Sequence, residues 1–231
     1  MQPRTLLDIL TTAERLKDTT RHCYTSGGRH ESVAEHSWMA TLMAFFLRDE
    51  FPEADMDKVM RMCIIHDLGE CFTGDIPTFD KTAAHEEREE NLLTAWVNTL
   101  PQPYRDEMTA LYAEMDARET VEAKIYKAID NLEAVFQHNL SDLSTWIPHE
   151  YQLNQTYGTD KAAFSPYLTA LRQELKKDTL QKSRMPPNNE RRPPGRRSLF
   201  YRVENGHRPF HSTHQDALRI PAKCRRTSST P

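Results

Sequence analysis

Glycine is scarce in this sequence, with 7 in 231 residues. No Gly-rich loop is available to cradle a phosphate chain. Cysteine is scarcer still, at 4, and no two form a C-x-x-C pair. That excludes a zinc knuckle and a thioredoxin-type motif. Cys63 and Cys71 read as small core residues, and little supports a nucleophilic role for Cys71. No apolar run reaches the length of a membrane span, and the N-terminus shows no signal-peptide pattern. The expected compartment is therefore the cytoplasm. Strand alternation and internal repeats are missing as well.

What remains is helix-forming. Charged residues make up 28% of the chain and hydrophobic residues 38%, with many Ala, Leu, Glu and Met. An all-α bundle of about six or seven helices is expected over residues 1–180. The first helix spans residues 3–18, with Leu6, Leu7, Ile9, Leu10, Ala13 and Leu16 as its apolar face. Residues 19–30 read as a loop. Ser32-x-x-Glu35 is a capping box, opening a helix whose buried face is expected to hold Ala34, Trp38, Leu42, Phe45 and Phe46. Further helices are expected over 55–72, 81–99, 101–115, 119–139 and 159–177, with 141–157 loop-like. His85 lies in a charge-rich segment and reads as exposed.

Charge is unevenly placed. Residues 186–231 carry ten Lys/Arg against three Asp/Glu, net +7, which leaves −11 for the rest of a chain of net −4. Seven of the 14 prolines fall there too, and hydrophobic periodicity stops. Residues 181–231 read as a Pro/Arg-rich basic tail, either disordered or foreign in origin. The acidic body argues against nucleic-acid binding by the folded domain.

The chemistry concentrates in CIIHDLGECFTGDIPT, residues 63–78. His66 and Asp67 end an apolar helical run, Glu70 follows one turn on, and Gly74-Asp75 opens the loop beyond. Polar groups this close to a core need partners, and a divalent metal would satisfy an imidazole and a carboxylate together. Two further ligands suggest themselves: His36 early in the helix opened by Ser32, and Asp130, a lone acid beside the apolar stripe Val121, Ile125, Ala128, Ile129, Leu132 and Val135. Asp130 could instead pair with Lys127. A set of two histidines and two aspartates suits borderline divalent ions such as Mn, Co, Ni or Zn. Upstream, Arg21, His22, Arg29 and His30 cluster as donors, and an arginine fork matches phosphate.

These segments, RHESVAEHS, HDLGECFTGDIPT with Lys81 just beyond, and KAIDNLEA, resemble the HD superfamily of metal-dependent phosphohydrolases. The similarity is strongest to the bacterial 5′-deoxynucleotidase branch, together with related eukaryotic HD-domain proteins, and covers residues 5–180. The resemblance implies one divalent metal per chain (Mg joining Mn, Co, Ni and Zn as candidates), held by His36, His66, Asp67 and Asp130. It implies that Glu70 acts near the reacting water and that Asp75 lies close to the substrate sugar and the reaction centre. It implies a nucleoside monophosphate substrate and a homodimer. An Arg-Trp pair of that branch, which contacts the nucleotide, falls on Arg21 and His22. The arginine is kept, and histidine stands where tryptophan crowds the 2′ position of the sugar. Lys81 and Arg21 would offset phosphoryl charge. Other readings stay open at this point: an HD hydrolase of cyclic nucleotides, guanosine tetraphosphate or deoxynucleoside triphosphates, a di-iron HD oxygenase, and a non-catalytic nucleotide-binding protein.

Overall fold

A computed structural model describes residues 1–184, and these are predominantly helical. The chain opens with α1 (Pro3–Ala13), followed by a 3-10 turn over Glu14–Lys17. Next comes a hairpin of β1 (Thr20–Tyr24) and β2 (His30–Ser32), antiparallel, pairing Thr20 with Ser32 and Tyr24 with His30. The segment 19–30, expected to be a loop, is thus corrected to a short ribbon. Its strands are polar and carry no hydrophobic alternation, which is why periodicity does not reveal them.

The expected capping box at Ser32 is present. The Ser32 N–H and hydroxyl both donate to the Glu35 carboxylate, at 2.9 and 3.0 Å, and the Glu35 N–H donates back to Ser32 Oγ at 3.3 Å. It starts α2 (Val33–Leu47). The inward face of α2 differs from the expected one. Val33, His36, Ser37, Ala40, Ala44 and Leu47 are buried, whereas Trp38, Phe45 and Phe46 are exposed. Small residues at 37, 40 and 44 let the neighbouring helices approach closely, so the aromatics turn outward. Leu6, Leu7 and Leu10 of α1 are likewise exposed.

Two further helices, α3 (Met56–Ile65) and the single turn α4 (Glu70–Thr73), replace the continuous helix expected over 55–72. Between them the backbone tightens through i→i+3 bonds, Leu68 to Ile65 and Glu70 to Asp67. The Tyr112 hydroxyl donates to the Ile65 carbonyl at 2.7 Å and holds the end of α3 in place. Gly69 is needed in this turn, because a Cβ there would lie 2.8 Å from Glu89 Cγ. Gly74, at φ +76°, ends α4 in a conformation that L side chains rarely adopt.

The remaining elements are α5 (Ala83–Val97), α6 (Tyr104–Ala117), α7 (Val121–Leu140), α8 (Glu150–Thr156), α9 (Thr159–Ala162) and α10 (Pro166–Arg184). Ser141–Tyr157 is corrected from loop to a 3-10 turn over Leu143–Thr145 followed by α8. Trp146 is buried there, its indole N–H donating to Ser141 Oγ at 2.9 Å. Met62, Ile125, Ile129, Leu132 and Leu168 are fully buried at the centre, where α2, α3, α7 and α10 meet. Each such side chain contributes about 1.5–3 kcal/mol. The basic tail expected from 181 falls, from residue 185 on, outside the described residues. Residues 181–184 belong to α10.

Candidate metal centre

α2, the end of α3 and the middle of α7 bring four expected ligands together. His36 Nε2 lies 3.1 Å from His66 Nε2, 3.2 Å from Asp130 Oδ1 and 3.7 Å from Asp67 Oδ2. His66 Nε2 lies 3.0 Å from Asp67 Oδ2 and 3.7 Å from Asp130 Oδ1. Adjacent ligands about 2.1 Å from one ion stand about 3.0–3.4 Å apart, so these separations fit a shared cation.

The tautomers sharpen the fit. His66 Nδ1 faces the Cys63 carbonyl at 2.8 Å, and His36 Nδ1 faces the Glu133 carboxylate in a very short contact. Both partners can only accept, so each Nδ1 carries the proton and each Nε2 presents a lone pair. Once both Nε2 atoms are free of protons, two imidazole lone pairs and two carboxylate oxygens lie close together. Without a cation that arrangement is repulsive. The protonation tendency says the same. Burial alone would lower the His66 pKa, but Asp67 and Asp130 outweigh it and raise it to about 10. The donor set therefore fits a divalent ion.

Three of the four are held from behind, His36 by Glu133, His66 by the Cys63 carbonyl and Asp130 by Lys127. Asp130 Oδ2 accepts from Lys127 Nζ at 2.6 Å, the pairing open in the sequence, while Oδ1 faces the histidines. Glu133 is fully buried and also accepts from Arg21 Nη1 at 3.2 Å. The same Nη1 donates to buried Glu31 at 3.0 Å. Burial opposes the Arg21 charge, and Glu133 and Glu31 more than offset that. Glu31, Glu133 and Lys127 are site residues that reading by motif misses. Glu133 leaves a signal in the sequence, since it is an acid one turn after Asp130 on an apolar helix.

The hairpin divides the upstream donors. Arg21 and His22 turn inward. Arg29 is tied to Glu35, and His30 is exposed. Glu70 is 7% exposed with Oε2 unpartnered. Burial, then Asp67, Asp75 and Glu89, raise its pKa to about 10. Asp75 is half-buried and its pKa is raised by burial, with Arg21 opposing and Asp67 adding to the rise. Lys81 is paired with Glu89 at 2.9 Å rather than free. His85 is exposed, as expected, and its Nδ1 accepts from the Thr82 N–H. Cys63 and Cys71 are buried, and burial pushes both thiols up. Arg21 and Asp75 also line a partly open cleft with His22, Phe79, His138 and Tyr157.

The family described as HD domain matches residues 13–172. The 5′-deoxynucleotidase HDDC2 of Homo sapiens is 31% identical over 138 residues, covering 58% of this chain and 67% of that protein. The 5′-deoxynucleotidase hdd1 of Schizosaccharomyces pombe is 25% identical over 140 residues, covering 57% and 70%. The chain thus spans about two thirds of the length of these relatives. Among solved structures, a predicted metal-dependent phosphohydrolase from Magnetospirillum magnetotacticum MS-1 aligns with a TM-score of 0.66 at 28% identity, covering 78% of this chain and 93% of that one.

Proposed function

The chain belongs to the HD domain family, and from that premise we propose that it removes the 5′-phosphate of ribo- and deoxyribonucleoside monophosphates, using one divalent metal ion per chain. The observation that carries this reading is the convergence of His36, His66, Asp67 and Asp130 beside a cleft that Arg21 and Asp75 line. His36, His66, Asp67 and Asp130 would hold the ion. When bound, it supplies Lewis-acid polarisation of a phosphoryl oxygen and lowers the pKa of a water.

The chain's own groups do the rest. Glu70 Oε2, buried and without a partner, is placed to orient the attacking water, and Asp75 serves the same end from the cavity wall. Arg21 has Nη1 committed to Glu31 and Glu133. Among the described residues its Nε and Nη2 make no hydrogen bond, and they are the donors we assign to phosphoryl oxygens. Lys81 adds positive charge from its pair with Glu89. His22 lies beside Glu150, with Nε2 3.1 Å from Oε1 but not aligned to donate to it. An imidazole held there supports acceptance of both sugars.

The test is phosphate release from a panel of ribo- and deoxyribonucleoside monophosphates in Mn, Co and Mg, on the full chain and on one ending at Arg184. We expect release with both sugars and from both chains, since the activity is assigned to residues 1–180. Asp67→Ala should abolish release and metal content together. Undiminished activity and metal in that variant would sink the scheme. No release from any substrate, with metal still bound, would favour another phosphate ester or a binding role.

We also propose a homodimer acting in the cytoplasm, with no nucleic-acid partner for the folded domain. The outward aromatics of α2 support the first of these. No helix among the described residues is long and apolar enough to cross a membrane. Cell fractionation tests the location, and retention on a nucleic-acid column would contradict the last statement.

A further inference from the structure

The cavity that meets the metal centre at Arg21 and Asp75 has a second polar feature, which the hydrolytic scheme does not use. Glu150, 1% exposed, stands in its wall. Its Oε2 accepts from the Ile147 N–H at 2.8 Å. Its Oε1 has no hydrogen-bond partner. Two imidazole nitrogens flank that oxygen, His22 Nε2 at 3.1 Å and His138 Nε2 at 3.4 Å, but neither is aligned to donate to it. Asn154, 2% exposed on the same wall, has an unpartnered Nδ2. Leaving a buried carboxylate oxygen without a donor costs free energy, and a ligand N–H would recover it.

A nucleotide supplies such a group. With its phosphate at the metal, the part that reaches further into the cavity is the base. An amino-bearing edge, as in adenine or cytosine, offers an N–H to a carboxylate beside a ring nitrogen that accepts. Glu150 Oε1 takes the first and Asn154 Nδ2 serves the second. His138 adds no positive charge to this wall. Burial, with Arg21 and His22, lowers its pKa to about 4, so its ring is neutral at pH 7. An oxo edge, as in uracil or hypoxanthine, would turn a carbonyl oxygen towards this acceptor-rich wall. Phe79, edge-on to His22 at 5.5 Å between centroids, gives the base an apolar neighbour.

We infer that Glu150 is a specificity-determining residue, which reads the amino group of the nucleobase and makes this chain prefer amino bases over oxo bases. The inference rests on the nucleotidase reading for its substrate class.

The experiment has two arms on the metal-loaded full chain. One measures kcat/KM for AMP against IMP and CMP against UMP. The other measures the Kd of adenosine against inosine, which needs no turnover. Wild type should favour the amino base about 10- to 100-fold in both, as expected for one hydrogen bond to a charged acceptor. Glu150→Gln places an amide there, which can donate to an oxo edge, so the ratio should collapse or reverse. The ratio is the readout because a residue that only supports the fold would lower both members of each pair alike. Hydrolysis without base preference in wild type, or an unchanged ratio in the variant, overturns the inference and leaves the nucleotidase reading intact. Absence of hydrolysis, with adenosine still preferred and the preference lost in Glu150→Gln, overturns the nucleotidase reading and supports base recognition. Absence of both hydrolysis and nucleoside binding overturns both.

Discussion

Single residues decide how sharply the metal centre is defined, and Glu133 matters as much as the ligands. It fixes the His36 proton on Nδ1, so the opposite nitrogen is a lone pair. It does so with Arg21 at its back, in a site where every partner is buried or half-buried. Taking such charges out of water costs several kcal/mol per ion even after relaxation. The fully buried Ile125, Ile129 and Leu132 on the same helix offset that cost. Partners of this kind typically change metal affinity about 10- to 100-fold when replaced. Glu133→Gln should therefore weaken metal binding by that factor, read by competition with a chromogenic chelator. An unchanged affinity would remove Glu133 from the centre.

Elements set the position of those residues. α2 must begin at Val33 for His36 to sit on its inward face, and the capping box sets that start. Ser32→Ala should cost about 1 kcal/mol of stability, measured as a shift in urea midpoint at constant slope. The same box carries a pH dependence. Arg29, assisted by Ser32, holds the Glu35 carboxyl at about 2, below its ordinary 4.5. The unfolded chain therefore takes up this proton at higher pH than the folded one. The stabilisation is complete above about pH 4.5 and is lost as pH falls through about 2. The urea-midpoint gap between wild type and Glu35→Gln should close over that window. Because Glu35 is partly exposed, with 39% of its side chain accessible, the gap should also shrink with added salt. A gap independent of pH would assign the effect to helix propensity instead.

At the scale of the whole molecule, the outward face of α2 is the feature that the folded chain alone does not account for. Phe46 is 73% exposed and Trp38 56%. Aromatics of this size are enriched at protein interfaces. We expect sedimentation equilibrium to give twice the chain mass and Phe46→Glu to give the monomer mass. A monomeric wild type at all concentrations would contradict the homodimer.

The sequence by itself determined the helical class, the start of α2, and the four proposed ligands on three separate segments. Each of these is written locally, in apolar period, capping chemistry, or an acid or imidazole set beside a buried stripe. It could not show which face of α2 is inward, because Trp38 and Phe46 satisfy a helical period as well as Ala40 and Ala44 do. That choice depended on how closely α3 and α7 approach. Nor could it reveal the hairpin, whose polar strands are held by contacts such as Arg21 with Glu133, across 112 residues of chain. Glu31, behind the ligands, and the unpartnered Glu150 in the cavity wall read in sequence as ordinary charged residues. Only the tertiary structure buried them, and burial turns an ordinary charge into one that must find a partner.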